Sequence, residues 1–415
     1  MAVTLITNIK QLAGVRNESR LLHGKELAQL PVIDNAYLLI EEGLIADYGP
    51  MTGLQTSKLK PRVNIDATGQ FILPAWCDSH THLVFPASRE TEFIDKINGL
   101  SYAEIAAKGG GILNSANKLA QTSEGELFNS AWKRLKEITK LGTGAVEIKS
   151  GYGLTVEGEL KMLRVIRKLK EKSDLAIRAT FLGAHTYPVA YRNNHQGYID
   201  LIINEMLPVI AKEKLADYID VFCETGFFSP EETETIARAG MRYGLKPKLH
   251  VNQLNSIGGI EAGLKLNALS LDHLETMTEK EIQLLSMDGD TVATLLPSAA
   301  FFLRMPFQPA RKLIDAGCAV ALATDYNPGS SPSGNMNLVV AMSCIQMRML
   351  PEEAINAATI NGAYAMELQD KLGSITIGKK ANIIFTKAIP SLAYLPYAFG
   401  TDLIDKVMIS GKCVS

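Results

Sequence analysis

The chain lacks most of what would mark a protein for a membrane, a nucleic acid or an oxidising compartment. Five cysteines (Cys77, Cys223, Cys318, Cys344 and Cys413) are spread over 415 residues. They are odd in number and no two form a CxxC pair, which argues against a disulfide framework and against a cysteine-built zinc site. Neither sign of charge prevails: 42 lysines and arginines meet 44 aspartates and glutamates, for a net charge of -2. No polyanion-binding or membrane-facing surface is therefore expected. No apolar run reaches the ~18–20 residues of a membrane span. The opening MAVTLITNIKQLAG has neither the basic n-region nor the long apolar core of a signal peptide. Internal repeats and low-complexity tracts are also missing. These absences together describe a cytoplasmic protein with reduced thiols that binds no nucleic acid and no membrane. Its 47% hydrophobic and 21% charged residues are ordinary for a globular chain, long enough for one large domain or two medium ones.

What is present falls into two styles. The first ~70 residues carry short apolar runs and turn signals, including a hairpin pattern over 35–40 and 44–49 joined by Glu41-Glu42-Gly43. The tail repeats that style over 381–387 and 406–414. Between them, apolar strand patterns at 71–78, 144–150, 176–185, 218–224, 246–252, 268–275, 291–297 and 319–325 alternate with helical ones. Leu160, Leu163, Ile166 and Leu169 recur at helical spacing, and Ser229-Pro230-Glu231-Glu232 has the form of a helix start. Eight strands alternating with helices predict an α/β protein built on a (β/α)8 TIM-type barrel. The flanking β segments predict a small β-sandwich, giving boundaries at 1–70, 71–370 and 371–415. An open doubly wound sheet is the alternative; no GxGxxG follows the first barrel strand, which counts against it.

The chemistry-bearing residues sit at strand ends. His80 and His82 are two apart on the first barrel strand, so they share one face. His185 ends the third strand, His250 lies in the fifth, His273 in the sixth, and Asp325 ends the eighth; of seven histidines only His23 and His195 fall elsewhere. One strand-end histidine alone reads as a structural residue, and Asp325 alone as a turn residue beside Asn327-Pro328-Gly329. Together, at the end of a barrel where active sites lie, they point to a metal. Three histidines and an aspartate leave a position open for water, whose pKa a divalent cation lowers to about 7. A strand-four lysine that could be carbamylated between two metals is absent, with Glu224 in its place. One metal is expected. Gly109-Gly110-Gly111 lacks a following GK[ST] and is not a phosphate loop.

The order HxH, His, His, Asp between two β flanks resembles the amidohydrolase superfamily. The stretch 372–385 is similar to that superfamily's return into its sandwich, with Asn382 where an aspartate is common. DSHTHLVFPASRETEF (78–93), GLSYAEIAAKGGGI (99–112), EIKSGYGL (147–154), FLGAHTYP (181–188), DVFCETGFFS (220–229) and LATDYNPGSS (322–331) resemble, more narrowly, the imidazolonepropionase family. That resemblance implies hydrolysis of the ring amide of 4-imidazolone-5-propanoate to N-formimidoyl-L-glutamate, in L-histidine degradation. It implies His80, His82, His250 and Asp325 as ligands of one divalent ion, Zn or Fe, and His273, Asp325, Gln253 and His185 as catalytic candidates. It places Arg89, Tyr152, His185, Gln253, Asn327, Gly329, Ser330 and Tyr102 around the substrate, with the Arg89 fork on the propanoate. Gln253 stands where several members carry glutamate. A glutamine cannot take a proton at neutral pH, so it is expected to hydrogen-bond the ring and leave proton transfer to Asp325 or His273. A homodimer is expected. Two other readings stay open: a related hydrolase or deaminase of a small heterocycle, and a non-catalytic binding protein that keeps the pocket.

Overall fold

The computed structural model describes residues 3–55, 61–100, 104 and 110–414. In chain order its strands are β1 (Val3–Ala13), β2 (Val32–Glu41), β3 (Leu44–Pro50), β4 (Val63–Asp66), β5 (Phe71–Pro74), β6 (Trp76–Thr81), β7 (Thr143–Lys149), β8 (Ala176–Ala184), β9 (Tyr218–Cys223), β10 (Lys246–Val251), β11 (Ser270–His273), β12 (Val292–Leu295), β13 (Val320–Leu322), β14 (Ile383–Thr386), β15 (Ile404–Ile409) and β16 (Lys412–Cys413). β6 to β13 pair in sequence order and all in parallel. Every residue of β6, β7, β9, β11, β12 and β13 is buried, as expected of strands covered on both faces.

The eight strands close on themselves beyond the last regular pair. A parallel bridge joins Thr81 to Tyr326. Asp325 N donates to His80 O at 3.0 Å and His82 N to Tyr326 O at 2.9 Å. Thr324 N and Oγ1 both donate to the Asp78 carboxylate, at 2.9 and 2.7 Å. The seam that closes the barrel thus brings Asp325 beside His80 and His82, although the residues lie far apart in sequence.

The second sheet joins both ends of the chain in the order β16-β15-β14-β5-β1-β2-β3, with β4 on the first half of β1. The β2–β3 hairpin turns at Glu42 and Gly43, both at positive φ, which suits a two-residue turn of the twist strands require. Period-two alternation gives this sheet two apolar faces. Ile72, Ile383, Phe385 and Met408 face its own core, while Phe71, Leu73, Ile384, Val407 and Ile409 pack on the barrel. Asn382 spans the junction, donating to Gly144 O and accepting from Ser410 N.

One strand reading needs correction. The run 71–78, read as a single barrel strand, is two: Phe71–Pro74 belongs to the end sheet and only Trp76–Thr81 to the barrel. Pro74 offers no amide to a ladder, and the chain changes sheets just after it. The helices follow their signals closely. Thr155 caps Val156–Lys172, in which Leu160, Leu163, Ile166 and Leu169 are buried, and Ser229 and Glu232 form a capping box on Pro230–Met241. Among the described residues no helix is long and apolar enough to cross a membrane.

Candidate active site

Alternation on the barrel strands decides which side chains face inward. Asp78, His80 and His82 share one face of β6 and its extension; Glu147 and Lys149 share one of β7, and Lys248 and His250 one of β10. Three imidazole nitrogens and one carboxylate oxygen converge at the strand ends. His80 Nε2 and His82 Nε2 each lie 3.5 Å from Asp325 Oδ1, and His250 Nε2 lies 3.3 Å from His82 Nε2. The opposite nitrogens of two rings are fixed by carboxylates: His80 Nδ1 meets Asp272 Oδ2 at 2.6 Å and His250 Nδ1 meets Asp220 Oδ2 at 2.8 Å. Both rings therefore present Nε2 to the centre.

His273 reaches the centre by another route. Asp272 already takes the inward position on β11, so regular alternation would turn His273 away. Its φ of 87°, followed by 66° at Leu274, swings the ring into the cavity, where its Nδ1 lies 3.3 Å from Glu275 Oε1. Asp325 also has positive φ, 55°. Such backbone is costly for these residues and concentrates at functional sites. His273 and Asp325 can also group with His80 around a single ion, so His273 is within ligand reach although its partner is a carboxylate.

Above these groups lies a cavity of about 250 Å³. His82, His185, His250, His273, Asp325, Gln253, Arg89, Tyr152, Asn327, Gly329 and Ser330 all line it, with Phe222 and Phe227 as apolar wall. His80 is buried beneath. Tyr102 and Gly109 lie outside the described residues. His185 stacks on His82, with ring centroids 5.3 Å apart and planes 15° from parallel, and its Nδ1 meets Gly151 O at 3.0 Å. Arg89 is buried, and its Nε and Nη1 have no hydrogen-bond partner among the described residues. Its guanidinium lies directly on Gly329, where a Cβ would come within 1.2 Å of Nη2.

The 327–330 turn is braced internally. Asn327 Nδ2 donates to Asp325 O and Ser330 Oγ, both at 2.7 Å, and Oδ1 accepts from Gly329 N and Ser330 N. Ser330 Oγ in turn donates to Asp325 Oδ2 at 3.1 Å. An aspartate at positive φ next to a proline-glycine turn needs this internal bracing, which leaves its Oδ1 facing the imidazoles.

This arrangement has relatives. An amidohydrolase family model matches residues 226–414. The imidazolonepropionase of Flavobacterium johnsoniae is 59% identical over 413 residues, covering 99% of this chain and all of that one. That of Clostridium tetani is 42% identical, over 94% of this chain and 93% of its own. The chain belongs to the imidazolonepropionase family. A zinc-bound adenosine deaminase from Xanthomonas campestris shares the fold at a TM-score of 0.72 and 16% identity, over 99% of this chain and 92% of the other. A guanine deaminase from C. acetobutylicum does so at 0.71 and 17%, over the whole of both chains. The chain is thus a hydrolase of the amidohydrolase type.

The donor set fits a divalent cation. Donors about 2.1 Å from a tetrahedral ion are separated by about 3.4 Å, close to the 3.5 Å from His80 and His82 Nε2 to Asp325 Oδ1 and the 3.3 Å between His82 and His250 Nε2. His80 Nε2 is buried and has no hydrogen-bond partner among the described residues. Burial above all, and then neighbouring Lys149 or His185, holds His80, His82 and His250 well below the ordinary imidazole range, so their lone pairs are available at neutral pH. Burial pushes Asp325 up to about 6, against the pull of His273, which leaves it ionised at neutral pH. Burial also lowers His273, but Glu275, Asp325 and Asp272 outweigh it and the ring ends above its ordinary value.

Under the imidazoles the barrel is ionic, where most barrels are packed with apolar layers. Lys149 and Lys248 face Glu147, Asp220 and Asp272, and all five side chains are fully buried. Asp325 adds a fourth carboxylate. None of the five was expected as a site residue. Their signal was charge inside apolar strand runs, since a strand buried on both faces keeps a charge only with a partner. Glu159 was also missed: its carboxylate accepts from Gly151, Gly153 and Leu154 N and shapes the loop that carries Tyr152.

Proposed function

We propose that this chain opens 4-imidazolone-5-propanoate to N-formimidoyl-L-glutamate, in L-histidine degradation, with one zinc or iron ion held by His80, His82, His250 and Asp325. The observation that carries the reading is one cavity with converging imidazole and carboxylate donors on its floor and, in its wall, a buried guanidinium whose Nε and Nη1 have no hydrogen-bond partner among the described residues. A ring amide carrying a carboxylate tail matches both. The ion, when bound, supplies Lewis acidity and lowers the pKa of a water molecule.

The chain's own groups do the rest. Arg89 binds the propanoate tail, and Tyr152 and His185 orient the ring, which holds the amide carbonyl over the floor. Water adds to that carbonyl carbon, and Asp325, kept in place by Ser330, takes its proton. His273 faces the same space and stabilises the oxyanion that develops on the carbonyl oxygen. The proton held at Asp325 passes to the ring nitrogen as the C–N bond breaks, giving a carboxylate and the formimidoyl-bearing nitrogen. Gln253 hydrogen-bonds the ring. We read the enzyme as a cytoplasmic homodimer, a state that light scattering of the purified protein checks.

The test is loss of ultraviolet absorbance of freshly generated 4-imidazolone-5-propanoate, with metal content measured on the same sample. Turnover with about one ion per chain is expected. Metal-loaded protein that leaves this substrate intact would redirect the search to other cyclic amides and amidines.

A further inference from the structure

Lys149 sits at the end of β7 with its ammonium fully buried, and three carboxylates surround it. Nζ donates to Glu147 Oε1 at 2.7 Å, to Asp220 Oδ2 at 2.8 Å and to Asp272 Oδ2 at 3.4 Å. Each of those oxygens has a second partner, and for two of them it is an imidazole. Asp220 Oδ2 is the atom that meets His250 Nδ1, and Asp272 Oδ2 the atom that meets His80 Nδ1. One cation therefore joins the two carboxylate–imidazole pairs through the very oxygens that orient the rings. Glu147 anchors the ammonium from below, and is itself held by Thr180 Oγ1 at 2.6 Å and by Lys248.

Geometry makes this more than charge balance. A carboxylate that fixes a metal-binding histidine sets the ring's angle and its basicity, and disturbing such partners weakens metal binding about 10–100-fold. Here the two carboxylates lie on different strands, β9 and β11, and Lys149 is the cation in contact with both. Without it, two buried negative charges would face each other, and each could relax only by moving its histidine. Lys248 provides an internal contrast. It donates to Glu147, to Ser79 O at 3.2 Å and to Ala365 O at 2.8 Å, and meets neither Asp220 nor Asp272 directly among the described residues.

We propose that Lys149 is a positioning residue for the metal centre, locking His80 and His250 into one donor geometry by bridging Asp272 and Asp220. The proposal rests on the metal-site reading above. It is tested on the full chain by chelator competition for Zn2+ at neutral pH and by the visible absorption of the Co2+-substituted protein. Lys149→Met should raise the Zn2+ dissociation constant at least about tenfold and shift the cobalt bands, whereas Lys248→Met should change the constant by no more than about twofold. If Lys149→Met does not fold, the pair Glu147→Gln/Lys149→Met keeps the net charge of the barrel floor and should show the same loss of affinity. Wild-type affinity and an unshifted cobalt spectrum in folded Lys149→Met, or in the pair, would overturn the proposal. So would an equal loss in Lys248→Met, which would mark a general effect of buried charge. A wild-type chain that retains no Co2+ would instead remove the metal reading itself.

Discussion

Replacing Gly329 with alanine should disable Arg89 without altering it. The Gly329 backbone lies outside the left-handed region, so alanine is allowed there, but its Cβ would fall 1.2 Å from Arg89 Nη2 and 2.2 Å from Cζ. One of the two must give way. The turn is fixed from both sides: Lys96 Nζ donates to Gly329 O at 2.9 Å, and Gly329 N donates to Asn327 Oδ1 at 2.7 Å. Among the described residues Nε and Nη1 of the guanidinium have no hydrogen bond, and its ion pair with Glu92 is long, 3.7 Å from Nε. Arg89 therefore leaves its seat. A lost hydrogen bond between charged groups costs about 1.5–3 kcal/mol, which is about 10- to 150-fold in kcat/KM. Because the tail does not react, the loss should fall mainly on KM. Stability should change by less than about 0.5 kcal/mol, since no core contact is removed. Steady-state kinetics on 4-imidazolone-5-propanoate, run for Gly329→Ala, Arg89→Ala and the double variant, check the reasoning. The double variant should be no worse than Arg89→Ala, because the second change has nothing left to displace. A wild-type KM in Gly329→Ala, or two losses that simply add, would refute it.

Other perturbations separate the remaining roles. His273→Ala should retain its metal and lose about 10²–10⁴-fold in kcat; near-normal turnover would remove His273 from the mechanism. Prolonged chelation should abolish activity and added zinc or iron restore it, with the melting temperature rising as metal is returned because the ion binds only the folded chain. Acid should expose the buried imidazoles. Burial holds His185 down at about 4 against an ordinary 6.5, so between those values the unfolded chain binds more protons and stability must fall with falling pH. The loss is about 3 kcal/mol by the time pH reaches 4. Urea midpoints measured with chelator present should show that slope in wild type and a shallower one in His185→Gln; parallel slopes would refute the assignment.

Most of the fold was legible because its signals are local. Ser229 starts a helix at the residue its chemistry indicates, Leu160, Leu163, Ile166 and Leu169 line the buried face of another, and Glu42-Gly43 makes the turn its composition favours. The exception at 71–78 arose because both halves of that run are apolar and buried. Apolar content cannot tell which of two sheets a residue joins, and only Pro74 marked the break.

The site was legible in outline for a related reason and incomplete for a different one. Alternation correctly places His80 with His82 on one face, but it would turn His273 outward, because Asp272 beside it faces in. The ring enters the cavity only through left-handed backbone at His273 and Leu274, which a period-two pattern cannot express. The same limit hid the barrel floor. Each of Glu147, Lys149, Asp220, Lys248 and Asp272 is, within its own strand, an unexplained charge in an apolar run. They become intelligible only when neighbouring strands are set side by side and every charge finds its opposite. Buried charge without a visible local partner is therefore itself a statement about strands not adjacent in sequence. In this barrel those statements are mutually consistent: strands two, four, five and six supply two ammoniums and three carboxylates that find their partners only across strands.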